Sequence, residues 1–152
     1  MLRLGPLTAF VEDADCDRFV LSFRSYRDPS LHSRILLFRL PVLSEQDVSF
    51  PIAYRFYAIE NECPHAGAPL EHGDIEDYGD EQVIVCPFHS MDFSLQSGMS
   101  DTHHLRACTF AVEERDDQLW MEAPGDIGDD FRLLGIRKVS QSEARSSLTF
   151  AA

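Results

Sequence analysis

No apolar run in this sequence approaches the roughly 20 residues that a helix needs to cross a bilayer. No membrane contact is therefore expected. The first residues, Met1 to Val11, hold one Arg, one Pro and an acidic cluster close behind, without the charged, apolar and cleavage regions of a secretory signal. Basic charge is also scarce: 13 Lys and Arg stand against 26 Asp and Glu, a formal net charge of −13. With no Lys/Arg stripe to displace counterions, nucleic acid is excluded as a partner class. The acidic excess suits solubility and steering toward a basic surface, and a merely solvated face explains it equally well. Internal repeats, long amphipathic helices and wide linkers are absent too. The 152 residues are expected to form one domain over 1–140 with a Ser/Ala-rich tail over 141–152.

Cysteine is limited to four residues. Cys63 and Cys86 are each followed closely by a His, whereas Cys16 and Cys108 stand isolated in strand-like surroundings. This usage fits a reducing, cytosolic location with two structural free thiols, and a Cys16–Cys108 disulfide is the weaker alternative.

What the chain does have is many short β-forming runs. Leu7–Glu12, Arg18–Arg24, Arg34–Leu40, Ala53–Glu60, Gln82–Val85 and Met91–Leu95 read as strands, separated by turn-forming clusters. Ala107–Glu113 and Gln118–Glu122 read as a hairpin around 114–117, and Phe131–Val139 as a last strand. Residues 25–33 and 41–51 read as loops, the second an insertion or one helical turn. The pattern predicts an all-β fold, an antiparallel β sandwich or barrel. Trp120 and the Phe residues are assigned to its core.

The most informative stretch runs from Glu62 to Gly98. It contains Cys63-Pro64-His65 and, beyond an acidic spacer, Cys86-Pro87-Phe88-His89. Cys thiolate and His imidazole are ligands for borderline and soft metals, so Cys63, His65, Cys86 and His89 are the candidate ligands of one centre. Structural zinc accepts such a set, but zinc knuckles typically space their cysteines so that backbone N–H groups point at sulfur, and Pro64 and Pro87 remove two such donors. A [2Fe–2S] cluster with two Cys on one iron and two His on the other is the stronger reading. Residues i and i+2 of an extended loop project to the same side and can reach the two different irons.

The runs Cys63-Pro-His65-Ala-Gly-Ala-Pro-Leu70 and Cys86-Pro-Phe-His89, with Phe93-Ser-Leu-Gln-Ser-Gly98, closely resemble the Rieske ferredoxin family. Tyr57-Ala-Ile-Glu-Asn-Glu and Asp74-Ile-Glu-Asp resemble it as well. The likeness covers about Ala53 to Glu122, and the 20 residues between His65 and Cys86 are similar to the extended spacer of soluble eukaryotic Rieske domain-containing proteins. The resemblance implies a Rieske-like fold whose cluster-binding subdomain, residues 60–98, is built from two ligand loops. It implies one Rieske [2Fe–2S] cluster, with Cys63 and Cys86 on the inner iron and His65 and His89 on the outer one near solvent.

Departures from the family matter. Members of the cytochrome bc and b6f complexes carry a disulfide between the loops, at positions that hold Ala68 and Phe88 here. High-potential members place Ser and Tyr hydroxyls where this chain has Met91 and Phe93. Hydrogen bonds to the sulfurs raise the potential, so their loss implies the lower part of the Rieske range, with Ser90 a poor substitute.

Other residues have plainer readings. His72, His103 and His104 read as exposed loop residues without a role. The spacer acids Glu71, Asp74, Glu76, Asp77, Asp80 and Glu81 read as a solvated loop, and Gly67 as a residue needing φ > 0 or close approach to the cluster. Pro69, Leu70 and Phe88 are expected to shield the loops.

The family likeness implies a soluble one-electron carrier between a reductase and an oxygenase or other oxidoreductase, a monomer without catalytic activity of its own. A component of a multi-subunit oxygenase and a non-redox zinc-binding module are the alternatives. A mononuclear iron site needs two His, a carboxylate and far more chain than the thirty or so residues left after the core.

Overall fold

The computed structural model describes residues 1–13, 15–42, 53–79, 81–88, 90–100, 104–122 and 131–140. The expected loop 41–51, apart from its first two residues, and the tail 141–152 lie outside these residues, as do His89 and His103.

Eleven strands are seen among the described residues: β1 (Leu2–Pro6), β2 (Arg18–Ser25), β3 (His32–Pro41), β4 (Tyr54–Glu60), β5 (Asp74–Asp77), β6 (Gln82–Val85), β7 (Asp92–Ser94), β8 (Thr109–Phe110), β9 (Val112–Arg115), β10 (Gln118–Met121) and β11 (Phe131–Val139). One helical turn, α1 (Thr8–Val11), and a 3-10 turn, Leu70–His72, complete them. All pairings are antiparallel, in three sheets ordered β1-β10-β9, β11-β2-β3-β4-β8 and β5-β6-β7. The all-β, antiparallel expectation holds.

The five-stranded sheet lies between two cores because its strands are apolar on both faces. From β2 and β3, Phe19, Leu21, Phe23, Ile35 and Leu37 pack with Leu4, Phe10, Leu119 and Met121. The intervening residues Val20, Leu36 and Phe38 pack on the other face with Ile84 of β6 and Phe93 of β7. Period-two alternation thus feeds two cores at once, which is why the run 34–40 reads as continuously apolar.

Several elements differ from the sequence expectation. Leu7–Glu12 is not a strand. Leu7 N–H donates to Asp117 C=O (2.8 Å) and Phe10 N–H to Leu7 C=O (3.0 Å). The resulting turn swings the Phe10 ring edge-on to Phe19, centroids 5.1 Å apart. Tertiary burial of one aromatic outweighs local β propensity. The strand lies earlier, at β1, paired with β10. The segment 107–113 is split, β8 joining the five-stranded sheet and β9 the hairpin with β10. Asp116 and Asp117 make that hairpin turn, both with positive φ (52° and 60°), as a two-residue type I′ turn requires. Trp120 is only half-buried, stacked under Arg115, because β10 turns Leu119 and Met121 inward instead. Of the two spare thiols, Cys16 is buried and Cys108 exposed, and neither forms a disulfide.

Gly98 closes the turn after β7. Its N–H donates to Ser94 C=O (2.8 Å) and its C=O accepts from Ala107 N–H (2.9 Å). Its φ is +78°, and a Cβ there would lie 2.0 Å from the Ala107 carbonyl oxygen. Both the left-handed backbone and the contact penalise any side chain. Gly98→Ala is therefore expected to cost more than the ~1–2 kcal/mol of left-handed strain alone, read as a lowered midpoint in chemical denaturation.

Candidate metal centre

Strand β4 delivers the chain to Asn61, whose N–H donates to Arg34 C=O (3.0 Å) and whose C=O accepts from Leu70 N–H (2.6 Å). This closes the neck of the first loop. Within it, Cys63 N–H donates to Ala68 C=O (2.8 Å) and Gly67 N–H to Cys63 C=O (2.7 Å). The second loop, between β6 and β7, repeats the frame: Cys86 N–H to Met91 C=O (2.7 Å) and Ser90 N–H to Cys86 C=O (3.0 Å). The residue four after each Cys takes a positive φ, Gly67 at 72° and Ser90 at 56°. Two local sequences with little in common fold into one hydrogen-bonded loop because each must turn back directly after its Cys.

The two loops bring Cys63 and Cys86 together. Both thiols are 1% exposed, in the core that holds Ala68, Leu70, Met91, Phe93, Leu95 and Ala107. Burial pushes the Cys63 thiol up, and the adjacent Cys86 side chain adds to this; the backbone N–H groups of His65 and Ala66, which bond the sulfur, pull it back down. These donors correct one argument from the sequence. Pro64 does remove an N–H, but the next two residues supply the sulfur, so loop geometry alone does not disfavour zinc.

His65 is exposed on the same loop as Cys63, and Phe88 is 52% exposed rather than buried over its loop. His89, the fourth candidate, lies outside the described residues. Among those residues, no three His, Cys, Asp or Glu side chains converge as for a single ion. Of the other candidates, His104 is exposed, whereas His72 is half-buried in the 3-10 turn. Leu70 is fully buried beneath the loop, as expected.

Residues 39–107 match the family model of the soluble Rieske-type ferredoxin. Over this segment the chain resembles that family. The matched family implies a Rieske [2Fe–2S] cluster as the cofactor. Over 43 residues the chain is 42% identical to a human (Homo sapiens) Rieske domain-containing protein, covering 28% of this chain and 27% of that one. Over 49 residues it is 35% identical to the 3-phenylpropionate/cinnamic acid dioxygenase ferredoxin subunit of Escherichia coli (strain K12), covering 32% of this chain and 43% of that one. The alignments thus span less than half the length of these relatives. In fold, the chain resembles one chain of the complex of reduced oxygenase and oxidised ferredoxin in carbazole 1,9a-dioxygenase, with a TM-score of 0.50, 21% identity, and coverage of 79% of this chain and 99% of that one.

The residues present fit the group the Rieske family implies. Two buried thiols with backbone donors aimed at one sulfur suit an inner iron, and an exposed imidazole on the same loop suits an outer one. Sequence reasoning missed the neck of the first loop. Glu71 is not in a solvated spacer but 4% exposed, and β5 turns the rest of that spacer into a strand paired with β6. An Asn ten residues before a Glu carries no signal of its own, since only the folded loop brings them together.

The equivalence of the loops has a measurable consequence. Ser90 bears a left-handed φ that glycine adopts without strain, and Gly67 has nothing within 4 Å of an added Cβ. Ser90→Gly is expected to stabilise the fold by up to ~1 kcal/mol and Gly67→Ala to destabilise it by ~1–2 kcal/mol, both read in thermal unfolding of the same preparation.

Proposed function

We propose that this protein is a one-electron carrier that holds its Rieske cluster through Cys63, Cys86, His65 and His89. It passes electrons between a reductase and an oxygenase or other oxidoreductase. The observation that carries this reading is the asymmetry of the site, with thiols sealed in an apolar core and an imidazole open to solvent. The chain's own residues perform three tasks. Cys63 and Cys86 supply negative charge where water is excluded. The N–H groups of His65 and Ala66 stabilise that charge, and the His side leaves a short path to a docked partner. When bound, the cluster supplies reversible one-electron transfer.

The E. coli relative is by name a ferredoxin subunit of a dioxygenase, which supports an oxygenase as one acceptor class. Among the described residues no helix is long and apolar enough to cross a membrane. A cytosolic monomer, folded over 1–140, completes the proposal. The potential is expected low. Met91 and Phe93 are buried in the core, so neither family hydroxyl position offers a donor to sulfur. Ser90 is exposed, with its backbone N–H committed to Cys86 C=O.

The test is direct. Purified protein should be reddish-brown, contain about two iron and two sulfide per chain, and give a Rieske EPR signal after reduction. Cys63→Ser and His65→Ala should each abolish that signal. Colourless protein with stoichiometric zinc would overturn the reading in favour of an interaction module. A redox titration should fall in the lower part of the Rieske range of about −150 to +300 mV; a midpoint near its top would refute the account of Met91 and Phe93.

A further inference from the structure

The neck of the first ligand loop is held by a buried carboxylate that the proposed function does not use. Glu71 N–H donates to Asn61 Oδ1 (3.1 Å), and Asn61 Nδ2 donates back to Glu71 Oε1 (3.2 Å). Asn61 is 1% exposed. The second carboxylate oxygen of Glu71 accepts from the Arg137 guanidinium. Beside it the buried Arg18 of β2 donates to the carbonyls of Glu71 (2.9 Å) and Gly73 (2.6 Å) and pairs with Asp17 at 2.9 Å. Two carboxylates and two guanidiniums thus make two ion pairs at the foot of the loop that carries Cys63 and His65.

Arg137 belongs to β11, where it lies opposite Val20 of β2. That strand is outside the matched segment 39–107. The brace on the loop therefore comes from a part of the chain that the family-model match does not cover. Burial alone would push the Glu71 carboxyl up, but hydrogen bonds from Arg137 and Asn61 more than offset it and hold the group ionised.

Resting on the proposed electron-carrier reading, we propose that Glu71 and Arg137 are positioning residues for the redox centre: an ion pair reaching from β11 to the loop neck that fixes the loop and balances charge at its foot. Reduction adds a negative charge to the centre, so uncompensated negative charge nearby opposes it and positive charge favours it. The two partners differ in weight. The Glu71 side chain is 6% exposed and that of Arg137 is 57%, so water and salt screen the Arg charge far more.

The experiment is a redox titration of cluster-loaded full-length protein, wild type against Glu71→Gln, Arg137→Ala, Arg137→Lys and Glu71→Gln/Arg137→Ala. Gln keeps an acceptor for Arg137 and Asn61 but removes the charge. The midpoint should rise in Glu71→Gln, fall by less in Arg137→Ala, stay at the wild-type value in Arg137→Lys, and show a smaller rise in the double variant than in Glu71→Gln. EPR g-values should be unchanged throughout, showing an intact ligand set. Opposite signs are something a purely structural role would not produce. Midpoints unmoved by either single substitution, or moved the same way by both, would overturn the proposal while leaving the carrier reading intact. Should Glu71→Gln take up no cluster, the contrast between Arg137→Ala and Arg137→Lys decides alone. A colourless wild type would instead overturn the carrier reading, and the proposal with it.

Discussion

Two thiols buried side by side are the constraint on which this molecule depends. Ionising either in an apolar core costs on the order of several kcal/mol unless an opposite charge arrives with it. Cys63 and Cys86 are each 1% exposed, in contact with leucine, methionine and phenylalanine side chains. A core that wanted only bulk would not place two polarisable, proton-bearing groups together at the ends of two tight loops. A metal centre removes the conflict by taking the protons' place, and its binding then adds to folding.

The rest of the fold serves that placement. A five-stranded sheet apolar on both faces supports one core for general stability and a second that ends at the sulfurs. The small sheet β5-β6-β7 holds the second loop, and β4 leads into the first. Each loop turns back by the same hydrogen-bonded frame, which fixes both sulfurs without relying on the metal for loop shape. The neck of the first loop is then tied to β2 and β11 by Arg18 and Arg137. Those ties use guanidinium groups, whose fixed donor geometry orients a backbone more firmly than an ammonium does.

The legible part of the sequence was the part with local chemistry. Strands β2, β3, β4, β6 and β11 could be read from alternation and apolar runs, and the candidate ligands were proposed from Cys/His spacing. What escaped depended on distant contacts. The turn at Thr8–Val11 exists to seat Phe10 against Phe19, more than a strand's length away in sequence. Strand β5 is acidic and polar, and only its pairing with β6 makes it a strand. Glu71 looked like one more spacer acid, yet its environment is set by Asn61 and by Arg137, 66 residues further on. The backbone N–H groups at Cys63 show a subtler limit: counting prolines identified the donors lost but not those gained one and two residues later.

The central claim is that Cys63 and Cys86 share one iron while histidines hold another. Mössbauer spectroscopy of the oxidised, iron-57-labelled protein tests it most directly, because it sees each iron separately. The account predicts two quadrupole doublets of equal area with different isomer shifts, one from an all-sulfur iron and one from an iron with nitrogen ligands. A single doublet, or no iron signal from fully folded protein, would contradict it.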